Sequence, residues 1–133
     1  MIKVTKLENG ITVASDYMSN VETVSLHINV KVGSRNETQE LNGISHLIEH
    51  MMFKGTKKRN AEEIANAFEN IGASFNASTS KEVTTYYGKV LKEYSENLFE
   101  ILSDMVFNST FDKTELEREK NVVIQEIAMT NDA

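Results

Sequence analysis

The sequence predicts an α+β fold, a two-layer arrangement of a mixed β-sheet with helices packed on one face. Three observations predict it. Residues 23–32, TVSLHINVKV, alternate apolar and polar side chains without a break. Four later segments repeat apolar residues at the three-to-four-residue spacing of a helix. The 133 residues contain no proline, so no helix or strand is broken in that way.

Each element can be justified in order. Asn9–Gly10 is a turn signal, followed by an extended segment, ITVASDYM. In 23–32, Val24, Leu26, Ile28, Val30 and Val32 point one way, and Thr23, Ser25, His27, Asn29 and Lys31 the other. That is a strand with one buried face. GSRNETQELNG (33–43) reads as a loop. Over 44–54, Ile44, Leu47, Ile48, Met51 and Met52 recur at helical spacing. A second helix fits 61–71, with Asn60 as N-cap, Glu63 closing a capping box and Gly72 as the stop. Residues 73–91, rich in Thr, Tyr and Val, read as one or two strands around a turn near Ser80–Lys81. A third helix over 94–107 carries Leu98, Ile101, Leu102 and Met105 on one face. The last runs from Asp112 to about Met129, with Leu116, Val123, Ile124 and Ile127 expected inward.

Composition narrows the function classes. An apolar content of 40% with 26% charged residues is that of a globular chain rather than a disordered one. The net charge of −6 argues against nucleic acid, since no basic stripe is available to neutralise phosphates. No apolar run approaches membrane-spanning length, and MIKVTKLENG lacks the apolar core of a secretion signal. A cytoplasmic location is the resulting expectation, with an organelle matrix or the periplasm as the alternative for a processed chain. With no cysteine, any metal must be held by histidine and carboxylate.

Two of the three histidines lie four residues apart in GISHLIEHMMFKG. On a helix His46 and His50 therefore stack one turn above the other and present both rings to the same side. Glu49 flanks the same surface, in reach of an attacking water as general base. This H-x-x-E-H spacing is a helix-borne metal motif, the inverse of H-E-x-x-H. His27, on the polar face of its strand, reads as a surface residue. A catalytic zinc needs a third ligand, and the last helix offers several carboxylates. Glu115, Glu117 and Glu119 crowd its first half, where the helix dipole alone favours them. Glu126 comes late in the helix, where the dipole disfavours it, and a metal ion is one partner that would explain it.

The segments HLIEHMMFKGTKKRNAEEI, NASTSKEVTTYYGKV and EREKNVVIQEI, in that order, resemble successive signatures of the pitrilysin/insulinase family of zinc metallopeptidases, which includes the mitochondrial-type processing peptidases. The resemblance runs from NGITVASD and VKVGSRNE to QEIAM, nearly the whole chain. It implies a zinc-dependent endopeptidase with one Zn2+ held by His46, His50 and Glu126, Glu49 as the base, and Glu119 orienting a ligand. FNAS matches the edge strand along which the family lays its substrate, assigning Asn76 and Ala77 to backbone pairing. Phe53 matches an apolar side chain near the site, with core packing at the end of the helix as its alternative. Mn or Co could replace zinc in such a site.

The resemblance further implies that residues 1–133 form the N-terminal zinc-binding part of a processing-peptidase-like catalytic domain, truncated, with the second half of a clamshell absent. The expected substrate is a peptide or unfolded polypeptide. The expected partner is the missing C-terminal half or a homologous subunit, with self-association through an exposed apolar surface as another route. The chain alone is then expected to bind zinc with weak or no peptidase activity. The alternative function is that of a non-catalytic homologue serving as scaffold or substrate-binding subunit. Such homologues typically lose a ligand or the base, whereas His46, Glu49, His50 and Glu126 are all present.

Overall fold

The strands of the computed structural model, which describes residues 1–132, fall into two separate sheets. β1 (Ile2–Lys6) and β2 (Thr12–Asp16) form an antiparallel hairpin whose residues are all exposed. Its turn is the expected one: Gly10 takes a φ of 91°, and the Ile11 N–H donates to Asn9 Oδ1 at 3.1 Å. The sequence reading predicts β2 alone. β1 is too short for its Ile2–Val4 alternation to stand out without its partner.

The second sheet has the order β3-β5-β4, from β3 (Thr23–Val30), β4 (Ser74–Thr79) and β5 (Thr84–Leu91), and every described pairing is antiparallel. β5 is central, paired from Thr84↔Val30 to Leu91↔Thr23 on one side and with β4 on the other. Its alternate residues Thr84, Tyr86, Gly88 and Val90 are accordingly buried. The helices α1 (Ile44–Met51), α2 (Ala61–Asn70) and α3 (Ser95–Asn108) cover one face, with α3 on β3 and β5 and α1 on β4. Met52, Ile64, Phe68, Tyr86, Val90, Leu98, Ile101, Leu102 and Met105 fill the space between the layers. Phe68 is fully buried and stacks on Phe75 with centroids 3.9 Å apart.

Helix starts and stops follow their local chemistry. The capping box of α2 forms as read: the Glu63 N–H donates to Asn60 Oδ1 at 2.8 Å, and the Asn60 N–H to Glu63 Oε2 at 3.2 Å. α1 ends at Met51, earlier than the expected 54, because the next bonds tighten: Phe53 N–H reaches His50 C=O and Lys54 N–H reaches Met51 C=O. The loop after it is pinned to α3 by buried charge. The carboxylate of Asp104 accepts from Thr56 Oγ1 at 2.7 Å and Arg59 Nη1 at 2.9 Å. Arg59 Nη2 also donates to Glu100 Oε2 at 2.6 Å. That hydrogen bond, opposed by burial and helped by Lys58, holds the Glu100 carboxyl below its ordinary value.

The expectation for the last helix needs correcting. α4 (Lys113–Asp132) turns Val123 inward, 6% exposed, but Ile124 and Ile127 are 63% and 48% exposed. The reason is that α4 packs chiefly on the single helix α1, which covers one narrow stripe. That stripe runs through Leu116, Glu119, Val123 and Glu126 at helical spacing, so it carries two glutamates towards the two histidines.

Candidate metal centre

The helix that carries the motif begins without a side-chain cap of its own. Gly43 at its N-cap has a φ of 91°, and the cap is supplied from the preceding loop. The carboxylate of Glu37 accepts the backbone N–H of Gly43 at 2.9 Å and of Ser45 at 2.7 Å. Burial pushes this carboxyl up, but the two N–H groups and the Ser45 hydroxyl outweigh it and leave it below its ordinary value. The same loop grips the β4–β5 turn. Gly33 lies so close to it that a Cβ there would stand 2.3 Å from the Ser80 carbonyl oxygen. Ser34 N–H donates to that oxygen at 3.0 Å and Arg35 N–H to Lys81 C=O at 2.8 Å, while the Arg35 side chain pairs with Glu82. One loop thus fixes both α1 and the end of β4.

On α1 the two rings meet as the spacing requires. His46 Nε2 and His50 Nε2 are 3.1 Å apart, and Glu126 Oε2 lies 3.2 Å from the first and 3.5 Å from the second. The other nitrogen of His50, Nδ1, is 2.9 Å from Glu119 Oε2. Glu119 is only 6% exposed, and Lys54 Nζ stands 3.2 Å from its other oxygen. Burial raises the Glu119 carboxyl, but the hydrogen bonds and charges of His50 and Lys54 overcome this and hold it below its ordinary value. An ionised Glu119 makes His50 Nδ1 the donor, which in a neutral ring leaves Nε2 with a bare lone pair.

This triangle fits a metal ion. One proton could bridge only one of its three close contacts, leaving lone pair against lone pair elsewhere. Three atoms bound to zinc at 2.0–2.1 Å in a tetrahedral shell stand about 3.3 Å apart. The observed separations of 3.1, 3.2 and 3.5 Å bracket that value. Among the described residues this is the one group of three such side chains with converging donor atoms.

Glu49 faces the adjoining cleft, about 420 Å³, lined also by Glu37, His46, Ser78 and Thr79. Its Oε2 accepts a hydrogen bond from the Thr79 hydroxyl at the end of β4. Burial, helped by the Glu49 charge, pushes the neighbouring Tyr86 phenol up to about 12. The other predicted residues are placed less uniformly. β4 is an edge strand, and its turn begins with the Ser80 N–H bonded to Val83 C=O, so even-numbered residues of β4 pair with β5. Asn76 therefore spends its backbone on β5, whereas Ala77, with Phe75 and Thr79, turns N–H and C=O to the open edge. Asn76 reaches that edge through its side chain, whose Oδ1 accepts the Ala77 N–H at 2.8 Å. Phe53 packs on the core beside Phe75, centroids 5.9 Å apart. His27 lies on the uncovered face of the sheet, stacked on Tyr87.

Sequence reasoning missed Glu37 and Thr79. Thr79 had a signal, since strand alternation puts it on the same side as Phe75 and Ala77. Glu37 had none beyond its place in a loop.

The family model described as Insulinase (Peptidase family M16) matches residues 12–133. The chain belongs to the insulinase family. It is 49% identical over its whole length to the uncharacterized zinc protease YmxG of Bacillus subtilis, of which it spans 32%. It is 42% identical over 124 residues, 93% of the chain, to the beta subunit of the mitochondrial-processing peptidase of Saccharomyces cerevisiae, of which it spans 27%. A crystal structure of a protease from Helicobacter pylori superposes with a TM-score of 0.90 at 31% identity, covering 95% of this chain and 30% of that one. This insulinase-family chain thus spans about a third of the length of the relatives it matches.

Proposed function

We propose that this chain holds the metal-dependent peptidase centre of its parent protein, binding one zinc ion through His46, His50 and Glu126 and using Glu49 as general base to hydrolyse an extended polypeptide. The observation that carries the proposal is the triangle of His46, His50 and Glu126 donor atoms beside a cleft that Glu49 faces. Bound there, zinc supplies Lewis-acid polarisation of the scissile carbonyl and of the attacking water.

The remaining steps belong to the protein. Glu49 has one oxygen engaged by Thr79 and the other available to take the water proton, which it then delivers to the departing amine. Glu119 keeps His50 in the tautomer that points its lone pair inward. The open edge of β4 offers the Ala77 backbone to a peptide lying as an additional strand, once the Asn76 side chain moves aside. The activity of the whole protein, its substrates and its partners are part of the same proposal. We place an unfolded polypeptide in the cleft, and a homologous half, subunit or second copy over it.

The test is elemental analysis of the chain purified without chelator, beside Glu126→Gln, with hydrolysis of an unfolded polypeptide compared between the chain and Glu49→Gln. About one zinc per chain is expected, with a large loss in Glu126→Gln. Any cleavage should vanish in Glu49→Gln with the metal retained. A folded chain that takes up no zinc overturns the proposal.

A further inference from the structure

We propose that Thr79 is the positioning residue of this centre, fixing the Glu49 carboxylate with its hydroxyl while its backbone faces the edge on which the peptide lies. The inference rests on the peptidase reading above and adds a residue to it.

Three observations carry it. First, the Thr79 hydroxyl is the single hydrogen-bond donor to Glu49 among the described residues, and it uses only Oε2. A glutamate side chain left alone turns about three bonds; one donor on one oxygen removes that freedom and leaves Oε1 for the proton being moved. Second, Thr79 sits at an odd position of β4, so its N–H and C=O point to the open edge while its side chain points to α1. A strand pairing there is therefore registered by the residue that also holds the base. Third, the hydroxyl is itself rigidly placed. The next residue, Ser80, donates its N–H to Val83 C=O at 2.9 Å, and its carbonyl is gripped by the Ser34 N–H at 3.0 Å. Threonine's branched Cβ restricts the last torsion as well.

A peptide hydroxamate, which chelates the metal and shares its N–O–H proton with the base carboxylate, is a probe that needs no turnover. Its affinity for the zinc-loaded chain is measured by calorimetry for the unaltered protein, Thr79→Ser, Thr79→Val, Glu49→Gln and the Thr79→Val/Glu49→Gln pair. Thr79→Val keeps the shape and removes the donor, so binding weakens about tenfold, the size of one hydrogen bond to a charged group. Thr79→Ser, which keeps the donor, stays within about twofold. Thr79→Val adds no loss in the Glu49→Gln background, and zinc content is the same throughout. Where peptide cleavage is measurable, Thr79→Val lowers kcat and leaves KM unchanged. Unchanged affinity in Thr79→Val, or an equal loss with Glu49→Gln already in place, overturns the proposal. Failure of the unaltered, zinc-loaded chain to bind the hydroxamate overturns the peptidase reading, and this inference with it.

Discussion

Replacing Gly33 by alanine should damage this fold more than its single methyl group suggests. The φ of Gly33 is −154°, extended backbone open to any residue, so conformation is not the issue. Space is. The added Cβ would stand 2.3, 2.5 and 2.6 Å from Ser80 O, Lys81 C and Glu82 N, all backbone atoms of one turn. The loop must withdraw, and the Ser34→Ser80 and Arg35→Lys81 hydrogen bonds of 3.0 and 2.8 Å go with it. Two such bonds are worth about 2 kcal/mol together. Overpacking adds roughly 1–3 kcal/mol, for about 3–5 kcal/mol in all, a large part of a domain's usual roughly 5–15 kcal/mol. With a urea dependence of about 1–3 kcal/mol per molar, the unfolding midpoint should fall by more than about 1 M. Gly88→Ala is the comparison: its Cβ meets the end of one core side chain, Leu98 Cδ1 at 2.7 Å, where Gly33 meets three backbone atoms, so only a side chain must shift. Urea unfolding followed by circular dichroism measures both. A Gly33→Ala loss below about 1 kcal/mol, or one smaller than that of Gly88→Ala, refutes the reasoning.

Two more outcomes follow from the packing and charge described above. Val123→Ala should cost about 2 kcal/mol and Ile124→Ser less than about 0.5 kcal/mol in the same urea assay, because only Val123 is covered. Glu100, held below its ordinary value by Arg59, contributes stability that is complete above its unfolded value of 4.5 and lost as the pH falls through the lower folded value. Glu100→Gln should therefore lower the midpoint at about pH 7 and converge on the unaltered protein once the pH lies below that lowered folded value.

Local patterns were legible where chemistry and packing agreed over short distances. The alternation of Val24 to Val30 gives β3, and Asn60 with Glu63 gives the start of α2, because both signals are complete within one element. The H-x-x-E-H triplet was legible as a metal motif for the same reason, since one helix sets the spacing of His46 and His50. Residue pattern alone leaves open which carboxylate of α4 meets the two histidines, and the family resemblance points to Glu126, the one that lies 3.2 and 3.5 Å from their Nε2 atoms. The sequence does not give the facing of α4, because periodicity marks an apolar stripe without saying what covers it. Ile124 and Ile127 obey the period and are still exposed. Side-chain contacts from one element to another are not legible in the pattern. Thr79 reaches back to Glu49, Glu37 caps a helix from a loop, and Arg59 meets Glu100 and Asp104 on another helix. Strand alternation gives the side that Thr79 faces but not its partner, and nothing periodic announces the other two.

The Asn76 side chain has a consequence for the chain in bulk solution. β4 is an open edge, a row of unpaired backbone groups that any other extended chain, including a second copy, could join. Asn76 occupies the Ala77 N–H on that row with its own amide oxygen. An incoming strand must displace it, giving up one hydrogen bond for each one gained there, so the edge offers little reward to a casual, short-lived encounter. A long peptide that pairs at several positions recovers the difference. The same asparagine thus lowers the reward for pairing at Ala77 and leaves the Phe75 and Thr79 backbone groups of that edge to set what a longer strand gains.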